Sequence, residues 1–103
     1  MKKDKLKVEI QFFEDCPNSE EMISRVKKAI EQLEFDIDFS ETHVETEEIA
    51  MQVKFRGSPT LLVNGSDIEN LPEPETAYMA CRFYSAGLPS VEKIKEFIIQ
   101  HAK

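Results

Sequence analysis

Between Leu6 and Phe12 apolar residues alternate with Lys7, Glu9 and Gln11, the period of two that marks a strand with one face on a core. The chain then turns through Glu14-Asp15-Cys16-Pro17-Asn18, and Pro17 suits a first helical position, where a missing N–H costs nothing. There the period changes. Met22, Ile23, Val26, Ala29, Ile30 and Leu33 recur at three- and four-residue steps, with Glu20, Glu21, Arg25, Lys27 and Lys28 on the opposite side, which predicts an amphipathic helix. Its acids lead and its bases trail, in keeping with the helix dipole. Alternation returns at Phe35, Ile37 and Phe39, a second strand whose polar face (Asp36, Asp38, Ser40) suits the edge of a sheet. Strand, helix and strand in series imply a right-handed parallel crossover.

Residues 45–54 read as a short second helix, with Ile49, Ala50 and Val53 inward and Glu45, Glu47 and Glu48 at its start, ending near Phe55-Arg56-Gly57. Thr60 to Val63 is an apolar run of the kind covered on both faces, and Asn64-Gly65 is a strong hairpin signal, so an antiparallel strand is expected next. Two segments compete for it: Asp67 to Glu69, directly after the turn, and Ala80 to Tyr84, which is the more strand-like. The pattern does not choose between them. Pro72 and Pro74 exclude regular structure, so residues 70–78 are expected to form a surface loop. From Ser90, an N-cap candidate, Val91, Ile94, Phe97 and Ile98 make the inner stripe of a last helix. The order strand, helix, strand, helix, strand, strand, helix describes one α/β domain over residues 1–103, a four-stranded mixed sheet with helices on both faces.

Composition narrows the function classes. With 41% hydrophobic residues, seven Phe and only three Gly, the chain has the makings of a packed core. Its 20 acids against 13 bases leave a net charge of -7, which argues against a phosphate-gripping, nucleic-acid-binding surface. Lys2, Lys3 and Lys5 read as part of a flexible, solvated terminus at residues 1–5. No apolar stretch follows them as an export signal would require, and none reaches the length of a membrane span, so a soluble cytoplasmic protein is expected. The two cysteines, Cys16 and Cys81, lie 65 positions apart, too few for a secreted disulfide framework and without metal-site spacing. In the cytoplasm both are expected to rest as thiols.

The residues Cys16-Pro17-Asn18-Ser19, at the junction of the first strand and first helix, and Gly57-Ser58-Pro59-Thr60-Leu61-Leu62-Val63-Asn64-Gly65 resemble two landmarks of the thioredoxin-like superfamily. Along its whole length, and most closely at Gly57 to Gly65 and Cys81-Arg82-Phe83-Tyr84, the chain also looks like small thioredoxin-like proteins found near alkylmercury lyases. The resemblance implies a thioredoxin-like fold, with Cys16 as the nucleophilic cysteine and Pro59 as a cis-proline facing it. Ser19 stands where dithiol members carry a second cysteine, so the motif is CxxS, and the implied activity is that of a monothiol thiol–disulfide oxidoreductase. Such an activity uses glutathione or another thiol or disulfide, small or protein-borne, as co-substrate and needs no bound cofactor.

A helix N-terminus lowers a cysteine's pKa, and Ser19 is placed to donate a hydrogen bond to the Cys16 sulfur, while Glu14, Asp15, Glu20 and Glu21 oppose an anion there. The opposing acids are expected to point into water, where screening weakens them. A cis bond at Pro59 would expose the Ser58 backbone beside Cys16, where an extended peptide or glutathione could pair with it. Cys81 reads either as a small buried core residue or as the thiol that resolves a mixed disulfide on Cys16, which needs Cα atoms within about 7 Å. Arg56 and Arg82 are candidate anion contacts for a substrate or, more plainly, solvated surface residues. His43 and His101 are too isolated for a metal site or a triad. Two further functions stay open: a non-catalytic module that holds a peptide or partner protein beside Pro59, and a carrier that binds a soft metal through Cys16 and Cys81.

Overall fold

A computed structural model describes residues 6–13, 16–34, 36–84 and 86–102. Chain order gives β1 (Leu6–Phe12), α1 (Asn18–Glu31), β2 (Ile37–His43), α2 (Glu47–Val53), β3 (Thr60–Val63), β4 (Ser66–Asp67) and α3 (Val91–Ala102). The strands form a mixed sheet in the order β2-β1-β3-β4, with β1 parallel to β2 and antiparallel to β3, and β4 antiparallel to β3. This α/β architecture is consistent with a thioredoxin-like layout.

The alternation in β1 decides what covers the sheet. Leu6, Val8 and Ile10 point into a core shared with Leu61 and Val63 of β3, Met22, Val26 and Ala29 of α1, and Ile94 and Ile98 of α3. Removing each of the larger of these side chains from water contributes about 1.5–3 kcal/mol, so this face holds the sheet and two helices together. Phe13 has the opposite parity to Ile10 and Phe12. It packs in a separate cluster with Val44, Phe55 and the inner side of α2, through Ile49, Ala50 and Val53. α2 therefore sits on the other side of the sheet from α1 and α3.

β2 keeps the anticipated edge character, with Ile37 and Phe39 half-buried and Asp38 and Ser40 exposed. It runs on to His43 because β1 supplies partners that far, Phe12 opposite His43. Phe35, placed in this strand by its pattern, lies outside the described residues, as do residues 1–5. Pro17 immediately precedes α1 in helical geometry, one position earlier than its sequence suggested. Thr46 caps α2 by accepting from the Ile49 N–H (3.1 Å), and Ser90 caps α3 by accepting from the Lys93 N–H (3.1 Å).

Asn64 and Gly65 turn β3 into β4 with φ of 52° and 85°, the positive values that a tight hairpin of matching twist requires. Asn64 does more than turn: its side chain accepts from the Lys7 N–H (2.9 Å) and its own N–H donates to the Lys7 carbonyl (2.8 Å), fastening the turn to β1. The fourth strand is the segment directly after the turn, only two residues long. The rival segment contributes one isolated parallel bridge, Cys81 opposite Ser58. Residues 70–78 have no regular structure and are mostly exposed, as the two prolines require. Among the described residues no helix is long and apolar enough to cross a membrane.

Candidate functional site

Cys16 ends the connection from β1 to α1, and its carbonyl accepts the Ser19 N–H (3.1 Å) in the first turn of the helix. Its sulfur is bonded to that of Cys81, with the two Cα atoms 5.6 Å apart. The two expected thiols are joined in this form, a juxtaposition made by the fold that 65 residues of separation hide from the sequence. The core reading of Cys81 is corrected, because Cys81 is exposed, whereas Cys16 is only 3% exposed. Position 19 carries no sulfur, and the one bonded to Cys16 comes from position 81, the alternative in which Cys81 pairs with Cys16.

What brings Cys81 there is a ladder of contacts between residues 78–84 and 55–59. The Tyr78 N–H donates to the Phe55 carbonyl (2.8 Å), the Ser58 N–H to the Ala80 carbonyl (2.9 Å), and the Arg82 N–H to the Ser58 carbonyl (2.8 Å). The Tyr84 hydroxyl donates to the Pro59 carbonyl (2.6 Å). Gly57 permits the approach: at φ 106°, a Cβ there would stand 3.0 Å from the Arg82 Cβ and 3.1 Å from the Tyr78 ring. The Ser58–Pro59 peptide bond is cis. The Ser58 backbone is nevertheless not exposed, contrary to expectation: the residue is buried and residues 80–82 occupy both of its backbone groups.

The period-two alternation of this segment sends Arg82 and Tyr84 inward and leaves Cys81 and Phe83 outside, Phe83 at 83% exposure. Arg82 is thus no surface arginine. It forks onto Asp67 through two bonds of 2.7 Å, donates to Thr60 Oγ1 (3.1 Å), lies 3.5 Å from Glu69, and stacks 4.8 Å from the Tyr84 ring centroid. Arg56 is buried too. Its Nε donates to the Leu71 and Pro72 carbonyls (3.3 Å each) and approaches Asp67 at 3.7 Å, tying the 70–78 loop to the same anion. Both guanidinium groups answer a carboxylate within the fold, which leaves neither as the free anion contact foreseen for a substrate.

Burial works against the Arg82 charge, but the hydrogen bonds and charge of Asp67, with Tyr84 and Glu69, outweigh it and hold the proton more firmly than in water. Burial also pushes the Tyr84 phenol well above its ordinary range; the Arg82 charge opposes this, Asp67 and Glu69 reinforce it, and the net shift is upward.

Ser19 lies in a different network from the one expected. Its hydroxyl is 2.8 Å from Ser58 Oγ; the Phe13 N–H donates to Ser58 Oγ (3.0 Å) and the Phe13 carbonyl lies 3.4 Å from both hydroxyls. One serine donates to the other and the second to the carbonyl, so every partner in this buried cluster is used. These bonds clamp together α1, the end of β1 and the loop before β3, while the Cys16 sulfur, held in the disulfide, presents no thiolate for Ser19 to bond. Glu20 and Glu21 are exposed, and Glu21 pairs with Arg25 (2.8 Å); Glu14 and Asp15 lie outside the described residues. Beside Cys16 is a cleft of about 470 Å³ lined by Phe12, Pro17, Ser19, Glu20 and Ile23. Among the described residues no three or more His, Cys, Asp or Glu side chains gather as a metal site.

Asp67 and Tyr84 are the site residues that pattern reading missed. The alternation of Arg82 and Tyr84 against Cys81 and Phe83 was the available signal, but nothing local linked it to an aspartate 15 positions earlier.

An α/β domain with a thioredoxin-like layout and a disulfide seated where β1 meets α1 is the class that this geometry defines. Residues 14–102 match a family described as a domain of unknown function, DUF2703, and the chain belongs to that family. No curated protein and no solved structure matches it.

Replacing Asp67 by Asn removes the anion between two buried guanidinium groups, and a buried pair broken on one side costs about 3–5 kcal/mol. Urea unfolding of D67N against the parent chain should show a loss of that order; a change within about 0.5 kcal/mol would mean the pair is not buried in solution. Tyr84 gives a pH signature. Its folded pKa is raised above the unfolded value of ~10, so its share of stability is present below pH ~10 and declines above it, as the unfolded chain sheds the proton first. Between pH ~9 and ~11.5 the parent chain should therefore lose stability more steeply than Tyr84→Phe, and parallel curves would contradict the assignment.

Proposed function

We propose that this domain is a thiol–disulfide oxidoreductase of the thioredoxin-like superfamily, cycling between the Cys16–Cys81 disulfide and two thiols. The observation that carries the reading is the bond itself: cysteines 65 residues apart meet at the start of a 14-residue helix. Two equivalents of an external thiol reduce the pair to two thiols and leave as one disulfide, and the reverse reaction oxidises a pair of partner thiols. The Cys16 thiolate formed in this exchange sits before the free N–H groups of α1, whose positive end favours it. The co-substrate is a small or protein-borne thiol, glutathione among the former, and a cytoplasmic setting would keep the reduced form populated.

Ser19 supports the cycle as scaffold rather than as a sulfur ligand, since its hydroxyl is committed to Ser58 and Phe13. The peptide-holding module is the weaker reading, because the Ser58 edge that it needs is already filled by residues 80–82. The soft-metal carrier has only the proximity of the two sulfurs behind it.

The test is the pH dependence of Cys16 alkylation in the reduced chain, followed by peptide mass. The midpoint should fall about one unit or more below the ~8.5 of an ordinary cysteine. A midpoint at or above ~8.5 would remove the chemical basis of the proposal.

A further inference from the structure

Resting on that redox reading, we propose that Cys81, and not the motif cysteine Cys16, is the sulfur that exchanges with the external thiol, Cys16 being the sheltered leaving group. The co-substrate is a low-molecular-weight monothiol of the glutathione class.

The two sulfurs are presented unequally. Cys81 is exposed and stands on the outward parity of its segment with Phe83, while Arg82 and Tyr84 anchor the inward side. Cys16 is almost fully covered. An incoming thiolate attacks in line with the bond that it breaks, so it reaches Cys81 from the solvent side, whereas attack on Cys16 must come from the side away from Cys81. The opening on Cys16 is the cleft that also carries the Glu20 carboxylate, which repels an anionic nucleophile.

Leaving-group chemistry points the same way. Exchange is faster when the departing thiol has the lower pKa, and the sulfur at the start of α1 is the one that the helix stabilises as a thiolate. Attack on Cys81 thus expels the better leaving group. In the first step the external thiolate bonds to Cys81 Sγ, the Cys16–Cys81 bond breaks, and its electron pair leaves on Cys16. In the second step another external thiolate attacks the sulfur of the first, releasing the external disulfide and leaving Cys81 as a thiolate that takes a proton from water. Two external thiols are oxidised and the protein disulfide is reduced.

The anchors also decide the kind of partner. Three backbone hydrogen bonds, the Arg82–Asp67 fork and the Tyr84–Pro59 bond hold residues 78–84 independently of the sulfur–sulfur bond. The Ser58 edge therefore stays filled after the first exchange, and an extended peptide finds no strand to pair with there. A small thiol needs no such edge.

The test uses the oxidised full chain, exposed to an excess of reduced glutathione for a series of short intervals and quenched after each with a larger excess of iodoacetamide, so that the sulfur set free in the first exchange is alkylated and the mixed disulfide is preserved. Trypsin places Cys16 in the peptide 8–25 and Cys81 in 57–82, and mass spectrometry identifies the early singly alkylated species. Carbamidomethyl on Cys16 with glutathione on Cys81 should exceed the converse product by about tenfold or more. The converse product in excess, or comparable amounts of both, overturns the assignment but leaves the redox cycle standing. An intact disulfide with neither cysteine modified overturns the assignment and the redox reading together.

Discussion

The bond between the Arg82 guanidinium and the Asp67 carboxylate is the constraint on which the site depends. Asp67 is on a two-residue strand with its side chain at 0% exposure, and an unpaired carboxylate there would be prohibitive. Two arginines from different parts of the chain converge on it, one fastening residues 78–84 and the other the loop that leads to them. Buried pairs of this kind add little net stability compared with apolar packing, yet any register that leaves one partner alone is expensive. The pair thus acts on geometry: it fixes where residue 82 must be, and residue 81 follows.

From that placement the rest of the site is assembled. With Arg82 and Tyr84 inward, the backbone of residues 80–82 reaches Ser58 and closes the edge beside the cis peptide bond. Gly57 has no Cβ because this segment crosses it too closely to allow one. Ser19, in the position that the resemblance associates with a second cysteine, has become part of the clamp on Phe13 and Ser58. The sulfur that Cys16 is bonded to is supplied by a segment 65 positions away.

Local patterns announced the elements well and the site poorly, for one physical reason. Alternation in Leu6 to Phe12, the helical stripe from Met22 to Leu33 and the Asn64-Gly65 turn are set by neighbours within a few positions, so the sequence alone displays them. The choice of Ser66–Asp67 over Ala80 to Tyr84 as the fourth strand depends on which segment keeps β3 company, a competition between distant residues. The same holds for Arg56 and Arg82, whose charge suggested water as long as the burial of Asp67 was unknown. The clamp made by Ser19 is hidden for a related reason, since its polar partners, Ser58 and Phe13, are not those nearest along its helix.

The central claim is that the fold, and not the disulfide, keeps Cys81 beside Cys16. Equilibrating the chain with mixtures of reduced and oxidised glutathione and quantifying its disulfide and dithiol forms by mass gives the effective concentration of one cysteine at the other. Anchoring by Arg82 and Tyr84 predicts a value far above the millimolar range of two groups joined by a flexible tether. A value within that range would mean that residues 78–84 depart when the bond opens, and the account would be contradicted.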